Sequence, residues 1–279
     1  MTRLLTIVLL SWSLVTSGQQ IENLKRELRN PTSSVVLVAS HRGTHNFYPE
    51  NSLKAIQESI RIGVDIIEID VKVSTDGVPF LMHDARLDRT TTGKGNPESF
   101  SWAELQGFFI VNKGKKTSLK IPSLEEALTL ARDKILVDLD LKTDKIQAII
   151  DIVKKTDTED IVLFFDSDYG LLSKVQQANN DFMIMPRAYS LQQTDSLISV
   201  FDPPVVHIDF SFYNAETTQL IQSSVARVWL NALGDIDIEI GKGKEKHALK
   251  KLLEYGANII QTDEPLLLLK SLREQGLHH

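Results

Sequence analysis

A rhythm constrains this chain more than any other feature. Short apolar, β-branched runs recur at residues 35–39, 65–73, 135–141, 161–166, 182–185, 205–210, 227–231 and 258–261. Segments of helical periodicity lie between them. Leu53, Ile56 and Ile60 share one helical face, closed by Gly63. Ser123 and Glu126 have capping-box spacing, and Asp144 stands as an N-cap before Ile146, Ile149, Ile150 and Val153. Strands alternating with helices build a parallel sheet. Eight such units close a (β/α)8 TIM barrel, which takes roughly 250 residues; the chain has 279. An open doubly wound sheet is the competing architecture. It usually carries a Gly-rich turn after the first strand, and none follows residues 35–39.

One stretch breaks the rhythm. Residues 74–77 read as a turn and 78–83 as a short extra strand. Residues 84–122 then form a long excursion rich in Thr, Gly, Lys and Ser, read as a small insertion after the second strand. At the other extreme, residues 1–18 read as a cleaved signal peptide: Arg3, an apolar run over 4–15, and small residues Thr16 and Gly18 before the expected cut at Gln19. Residues 19–279 are then a single barrel domain, expected to be exported to the periplasm or the medium. No later segment could span a membrane, so no stable membrane insertion is expected. A net charge of −6 disfavours nucleic acid, and the lack of cysteine removes thiolate metal sites and thiol nucleophiles.

In such a barrel the chemistry sits at the C-terminal ends of the strands. Side chains alternate faces along a strand. Glu68 and Asp70 therefore share one face of the second strand, with Ile67, Ile69 and Val71 on the other. The third strand repeats this with Asp138, Asp140 and Lys142 against Val137, Leu139 and Leu141. Convergent carboxylates inside a barrel repel unless a cation neutralises them, and an all-oxygen set suits Mg2+ or Ca2+. The first strand ends His41-Arg42-Gly43, and the extra strand ends Met82-His83-Asp84. His suits proton transfer near neutral pH and Arg suits phosphate. A cation, an Arg, a Lys and two His together point to phosphoryl transfer.

At this point the sequence resembles the glycerophosphodiester phosphodiesterases. His41-Arg42-Gly43 with Pro49-Glu50-Asn51-Ser52 looks like that family's opening block. Glu68-Ile69-Asp70-Val71, Thr75-Asp76-Gly77-Val78-Pro79, His83-Asp84, Leu87-Asp88-Arg89-Thr90-Thr91 and Gly93 continue it in order. Leu139-Asp140-Leu141-Lys142, Trp229-Leu230-Asn231 and Thr262-Asp263-Glu264-Pro265 resemble its later blocks. The likeness runs from about Val35 to Leu269. It implies a barrel with a small insertion that splits glycerophosphodiesters into sn-glycerol 3-phosphate and an alcohol, using Mg2+ or Ca2+. It implies Glu68, Asp70 and Asp140 as metal ligands and His41 and His83 as the acid–base pair. Arg42 and Lys142 would hold phosphate oxygens, and Trp229 would lie along the glycerol or leaving group. A cyclic phosphate intermediate is implied, with His41 favoured as the first base. Asp140 stands where the family usually has Glu, and Ser52 where Thr is common. Glu50 is read as supporting the ligands, not as one of them.

Other polar residues have blander readings: His45 as a solvated loop residue, His207 with Asp209 as a satisfied core pair, Arg187 as a head-group contact or a surface ion pair. Met183 and Met185 are read as core filler, residues 113–120 as a solvated face, and His278 and His279 as a frayed tail. The competing functions are a related barrel phosphodiesterase of phospholipase C-like or lysophospholipase D-like type, and a non-catalytic binding protein. The latter should have lost a His or a ligand, and none is lost. The expected partner is a small-molecule diester. The alcohol, the choice of Mg2+ or Ca2+, and the oligomeric state are not written in these residues.

Overall fold

The computed structural model describes residues 17–279. The expected signal peptide falls mostly on residues 1–16, outside the described residues. The expected cut at Gln19 falls within the first helix, α1 (Ser17–Leu28), which starts earlier than its sequence pattern from Ile21 suggests.

Eight parallel strands follow, each in an expected place: β1 (Leu37–Ser40), β2 (Ile66–Val73), then β6 (Leu136–Leu141), β7 (Val162–Asp166), β8 (Met183–Pro186), β9 (Val205–Ile208), β10 (Arg227–Asn231) and β11 (Ile259–Thr262). Between β2 and β6 come β3 (Pro79–Leu81) and the hairpin β4 (Val111–Asn112) and β5 (Lys115–Lys116). The barrel order is β8-β7-β6-β2-β1-β11-β10-β9, with β3 added antiparallel to β2. The ring closes through a parallel bridge between Arg187 and His207, where the Ala188 amide donates to the His207 carbonyl at 2.9 Å.

Helices α2 (Leu53–Ile62), α4 (Leu124–Ala131), α5 (Ile146–Lys155), α6 (Tyr169–Ala178), α7 (Leu191–Phe201), α8 (Ala215–Ser223), α9 (Asp235–Gly241), α10 (Glu245–Leu252) and α11 (Pro265–Glu274) ring the strands. Ser52 caps α2, and Gly63 ends it in the left-handed region that glycine tolerates. The Ser123–Glu126 capping box opens α4. The expected Asp144 cap is not made. Lys145 is the residue before α5 and no side chain caps that helix. Thr143 turns back instead, its hydroxyl accepting from the Lys145 amide at 3.4 Å.

Continuous apolar runs such as Ile66, Ile67, Ile69 and Val71 are fully buried, as strands covered on both faces require. The insertion between β3 and α4, with its short helix α3 (Trp102–Leu105), packs around its own small core of Phe80, Met82, Leu87, Leu105 and Ile121. The lysines at 113–120 do more than solvate it. Lys113 donates to the Asn46 carbonyl, and Lys116 and Lys120 lie over the Phe109 ring at 4.0 and 3.5 Å. At the opposite end of the barrel, the buried Arg227 guanidinium donates to carbonyls of Glu27, Val35 and Asn258 and so ties α1 to the strands. There the C-terminal tail is anchored where fraying was expected: His278 Nε2 meets Asp65 Oδ2 at 2.9 Å. Among the described residues, no helix is long and apolar enough to cross a membrane.

Candidate active site

The strand-to-helix turn after β1 sets the site. Arg42 and Asn51 both adopt left-handed backbone conformations, with φ of 54° and 52°. Gly43, at φ 74°, sits so close to α2 that a Cβ there would meet the Ala55 Cβ at 2.9 Å. The tight turn presents the Arg42 amide to Glu68 Oε2 at 2.6 Å. It also lets Asn51 clasp Asp70: the amide Nδ2 donates to Asp70 Oδ2 at 2.7 Å while Asn51 Oδ1 accepts from the Asp70 amide at 3.1 Å.

Strand register does the rest. Glu68 pairs with Asp138 and Asp70 with Asp140 across β2 and β6, so four acids occupy two adjacent layers. One carboxylate oxygen from each of Glu68, Asp70 and Asp140 lies within 4.8 Å of the others. Burial pushes Glu68 and Asp138 well above the usual carboxylate range, and the neighbouring acids push the same way. Burial raises Asp140 to about 6, against the pull of Lys142. Two cations answer this negative charge. Lys142 Nζ donates to Asp140 Oδ2 at 2.6 Å and stands 3.5 Å from Asp70 Oδ1, and Arg42 Nε stands 3.4 Å from Asp70 Oδ2. Asp70 Oδ1 and Asp138 Oδ1 are buried with no hydrogen bond. The oxygens of Glu68, Asp70 and Asp140, all hard donors close to one another, fit a divalent cation.

Two histidines face the same cavity of about 270 Å3, which Arg42, Glu68, Asp138, Asp140 and Arg187 also line. Each is held through Nδ1 by its own aspartate: His41 by Asp263 Oδ1 at 2.7 Å, His83 by Asp84 Oδ1 at 2.8 Å. A neutral imidazole that donates from Nδ1 keeps a lone pair on Nε2. Burial raises the Asp263 carboxyl, but hydrogen bonds from His41 and His45 outweigh it and hold the group well below the usual range. Asp84 is held low chiefly by Arg89, with His83 adding. Arg89 also donates twice to Glu50, which accepts from Arg42 as well, so Glu50 links the insertion to the β1 turn.

The structure thus brings His41, Arg42, Glu68, Asp70, His83 and Asp140 together. It does not bring Trp229 to the cavity. Trp229 is fully buried one layer down, and its indole Nε1 donates to Asn231 Oδ1 at 2.9 Å; Asn231 is the residue of that strand that lines the space. Lys142 is folded onto the acids and does not line the cavity. His207 pairs with Asn231 at 3.1 Å, not with Asp209, which accepts from Ser211 and faces Arg187. Burial pushes His207 down to about 3, and Arg187 adds to the shift. His45, read as a loop residue, instead meets Asp263 Oδ1 at 2.8 Å. Sequence reasoning missed Asp263 and Asp84 as histidine partners, and Asn51 as the clasp on Asp70. Asp84 directly follows its histidine, which was a usable signal. Asp263 lies 222 positions from His41 and only the barrel's closure joins them.

Barrel and mouth together define a (β/α)8 protein with an acidic, two-histidine site at the strand ends. Residues 41–267 match the glycerophosphoryl diester phosphodiesterase family, and the chain belongs to that family. A lysophospholipase D of Rattus norvegicus is 25% identical over 274 residues, covering 85% of this chain and 86% of that protein. A glycerophosphodiester phosphodiesterase of Caldanaerobacter subterraneus is 30% identical over 150 residues, covering 50% of this chain and 62% of that one. In fold, the chain resembles a phosphodiesterase of Oleispira antarctica solved with the product sn-glycerol-3-phosphate: TM-score 0.74, 24% identity, covering 86% of this chain and 97% of that one.

Proposed function

We propose that this protein hydrolyses glycerophosphodiesters to sn-glycerol 3-phosphate and an alcohol, with Glu68, Asp70 and Asp140 holding one Mg2+ or Ca2+. The observation that carries the reading is the convergence at one barrel mouth of three carboxylates, only partly offset by Arg42 and Lys142, and two histidines, each anchored by an aspartate. The family membership supports the substrate class. When bound, the cation supplies fixed positive charge against the phosphate oxygens.

The chain's own groups supply the rest. Arg42, on the cavity wall, offers its guanidinium to the phosphate, and Lys142 balances the acids beside it. His41 Nε2 accepts the proton of the glycerol 2-hydroxyl as that oxygen attacks phosphorus. His83 donates a proton to the departing alcohol oxygen. The product of this step is a cyclic glycerophosphate. In its hydrolysis the roles reverse: His83 takes a proton from water and His41 returns one to the glycerol oxygen. Asp263 and Asp84 keep both rings in the required tautomer and orientation. Trp229 acts through Asn231, which it orients at the cavity wall.

Substrates with a free glycerol 2-hydroxyl should react, so small deacylated diesters should be cleaved faster than diacyl lipids. A 1-acyl lysophospholipid retains the hydroxyl and should react slowly. Release of glycerol 3-phosphate from glycerophosphocholine, lysophosphatidylcholine and phosphatidylcholine tests this. Equal rates on the diacyl lipid and the soluble diester would rule out hydroxyl attack. The leader-like run at residues 4–15 supports export. Finding the protein only in the cytoplasm, with Arg3 still attached, would contradict that.

A further inference from the structure

We propose that His41, His45 and Asp263 form a second cation site at the mouth, one that takes Zn2+ and, when filled, stops His41 from accepting a proton. The proposal rests on the reading of His41 as the base. The two histidines are four residues apart in His41-Arg42-Gly43-Thr44-His45, and only the first is used by the reaction. In the structure both rings turn to the same carboxylate oxygen, His41 Nδ1 at 2.7 Å and His45 Nε2 at 2.8 Å from Asp263 Oδ1. The three donor atoms lie within 4.8 Å of one another. All three side chains are partly exposed, so an ion reaches them from solvent.

Donor type separates this cluster from the one at Glu68, Asp70 and Asp140. That set is all oxygen and suits hard cations. Two imidazoles and one carboxylate suit zinc, with bonds of about 2.0–2.2 Å and a tetrahedral arrangement whose fourth position stays open. Ligand atoms on a tetrahedral zinc stand about 3.3 Å apart by those bond lengths. The present contacts would open by about half an ångström, within reach of side-chain rotation. The Asp263 backbone amide donates to Asp237 Oδ2 at 2.7 Å, which fixes the turn after β11.

The proton balance gives the consequence. As the base of the proposed reaction, His41 would carry its proton on Nδ1, toward Asp263, and a lone pair on Nε2. Binding zinc through Nδ1 needs the lone pair there, so the ring proton moves to Nε2. No lone pair then faces the substrate, and the 2-hydroxyl proton has no acceptor.

Equilibrium dialysis of the full chain against Zn2+, with excess Mg2+ to occupy the carboxylate cluster, measures binding without substrate. The wild type should bind one more zinc per chain than His45→Gln. Co2+ in place of zinc should give the visible absorption of a four-coordinate nitrogen-ligated ion, absent in the variant. Zinc should inhibit diester hydrolysis by the wild type at concentrations at least tenfold lower than for His45→Gln, which still turns over. Equal zinc stoichiometry in the two proteins, or zinc that binds through His45 without slowing hydrolysis, overturns the proposal. In the second case His41→Ala locates the fault: if that variant also keeps its rate, the assignment of the base is wrong; if it does not, the zinc claim alone fails.

Discussion

The two sides of the barrel mouth are built on opposite principles. On the β1–β2–β6 side, four acids, Arg42 and Lys142 crowd into two layers, and charge is balanced by charge. On the β7–β8–β9–β10 side, the rings of Phe165, His207 and Trp229 pack together, His207 and Trp229 share Asn231 as a hydrogen-bond partner, and Arg187 faces Asp209. The contrast teaches where specificity and chemistry separate. Converging carboxylates are costly to bury unless a cation or a proton is present, so their presence points to work done there. An aromatic wall carries less of that cost.

The comparison breaks most visibly on the charged side. Asp70→Asn or Glu68→Gln should abolish both cation binding and diester hydrolysis, while the fold persists by circular dichroism. An active Asp70→Asn would mean that the acids are structural. Next come the histidines, which follow β1 and β3. His41→Ala and His83→Ala should each lower turnover about 100-fold or more. The double variant should be little worse than either, because the two act as a unit. His83→Ala should recover on a nitrophenyl ester, whose leaving group needs no proton. Wild-type rates for both single variants on an alcohol diester would remove the two-histidine mechanism.

Effects should be smaller across the mouth. Asn231→Ala should raise KM about tenfold or less, the scale of one or two lost hydrogen bonds, with kcat changed little. A collapse of kcat there would give the aromatic wall a chemical role.

Stability against pH should also tilt in opposite directions. Glu68 and Asp138 are raised in the folded protein, and Asp140 is raised to about 6. The folded state therefore binds more of their protons than the unfolded state above about pH 4, and the cation-free protein should lose stability as pH rises through 6. His207 is pushed down to about 3. Below about pH 6.5 the unfolded state takes up a proton there that the folded state does not, so stability should fall as pH drops. His207→Gln should flatten the acid arm of a melting-temperature profile, and Asp138→Asn the alkaline arm. Unchanged arms in both variants would contradict the assignment of these shifts.

What was legible in the sequence followed from local alternation. The eight strands, the inward faces carrying Glu68, Asp70 and Asp140, and the ends at His41 and His83 all come from period-two patterns within a few residues of one another. The depth of a residue is not local. Trp229 and Asn231 share a face, yet only Asn231, at the C-terminal end of β10, reaches the cavity, and no short pattern encodes that depth. Pairings across the closed ring are hidden for the same reason. Asp263 meets His41 and His45 only because β11 pairs with β1, and His278 reaches Asp65 only once α11 has packed. Asp144 fails as a cap because the helix starts one residue later than its pattern suggests, which puts Lys145 at the cap position.

The central claim is that the carboxylate cluster holds a divalent cation that hydrolysis requires. The direct measurement is to strip the protein with chelator and titrate Mg2+ or Ca2+ back, following glycerol 3-phosphate release and melting temperature in the same samples. A cation at about 100 times its Kd stabilises the folded state by about 2.7 kcal/mol. The account predicts no turnover in chelator, a rise in melting temperature of several degrees on titration, and activity that returns along the same binding curve. Full activity in excess chelator, or a melting temperature that ignores the cation while Asp70→Asn still abolishes turnover, would contradict it.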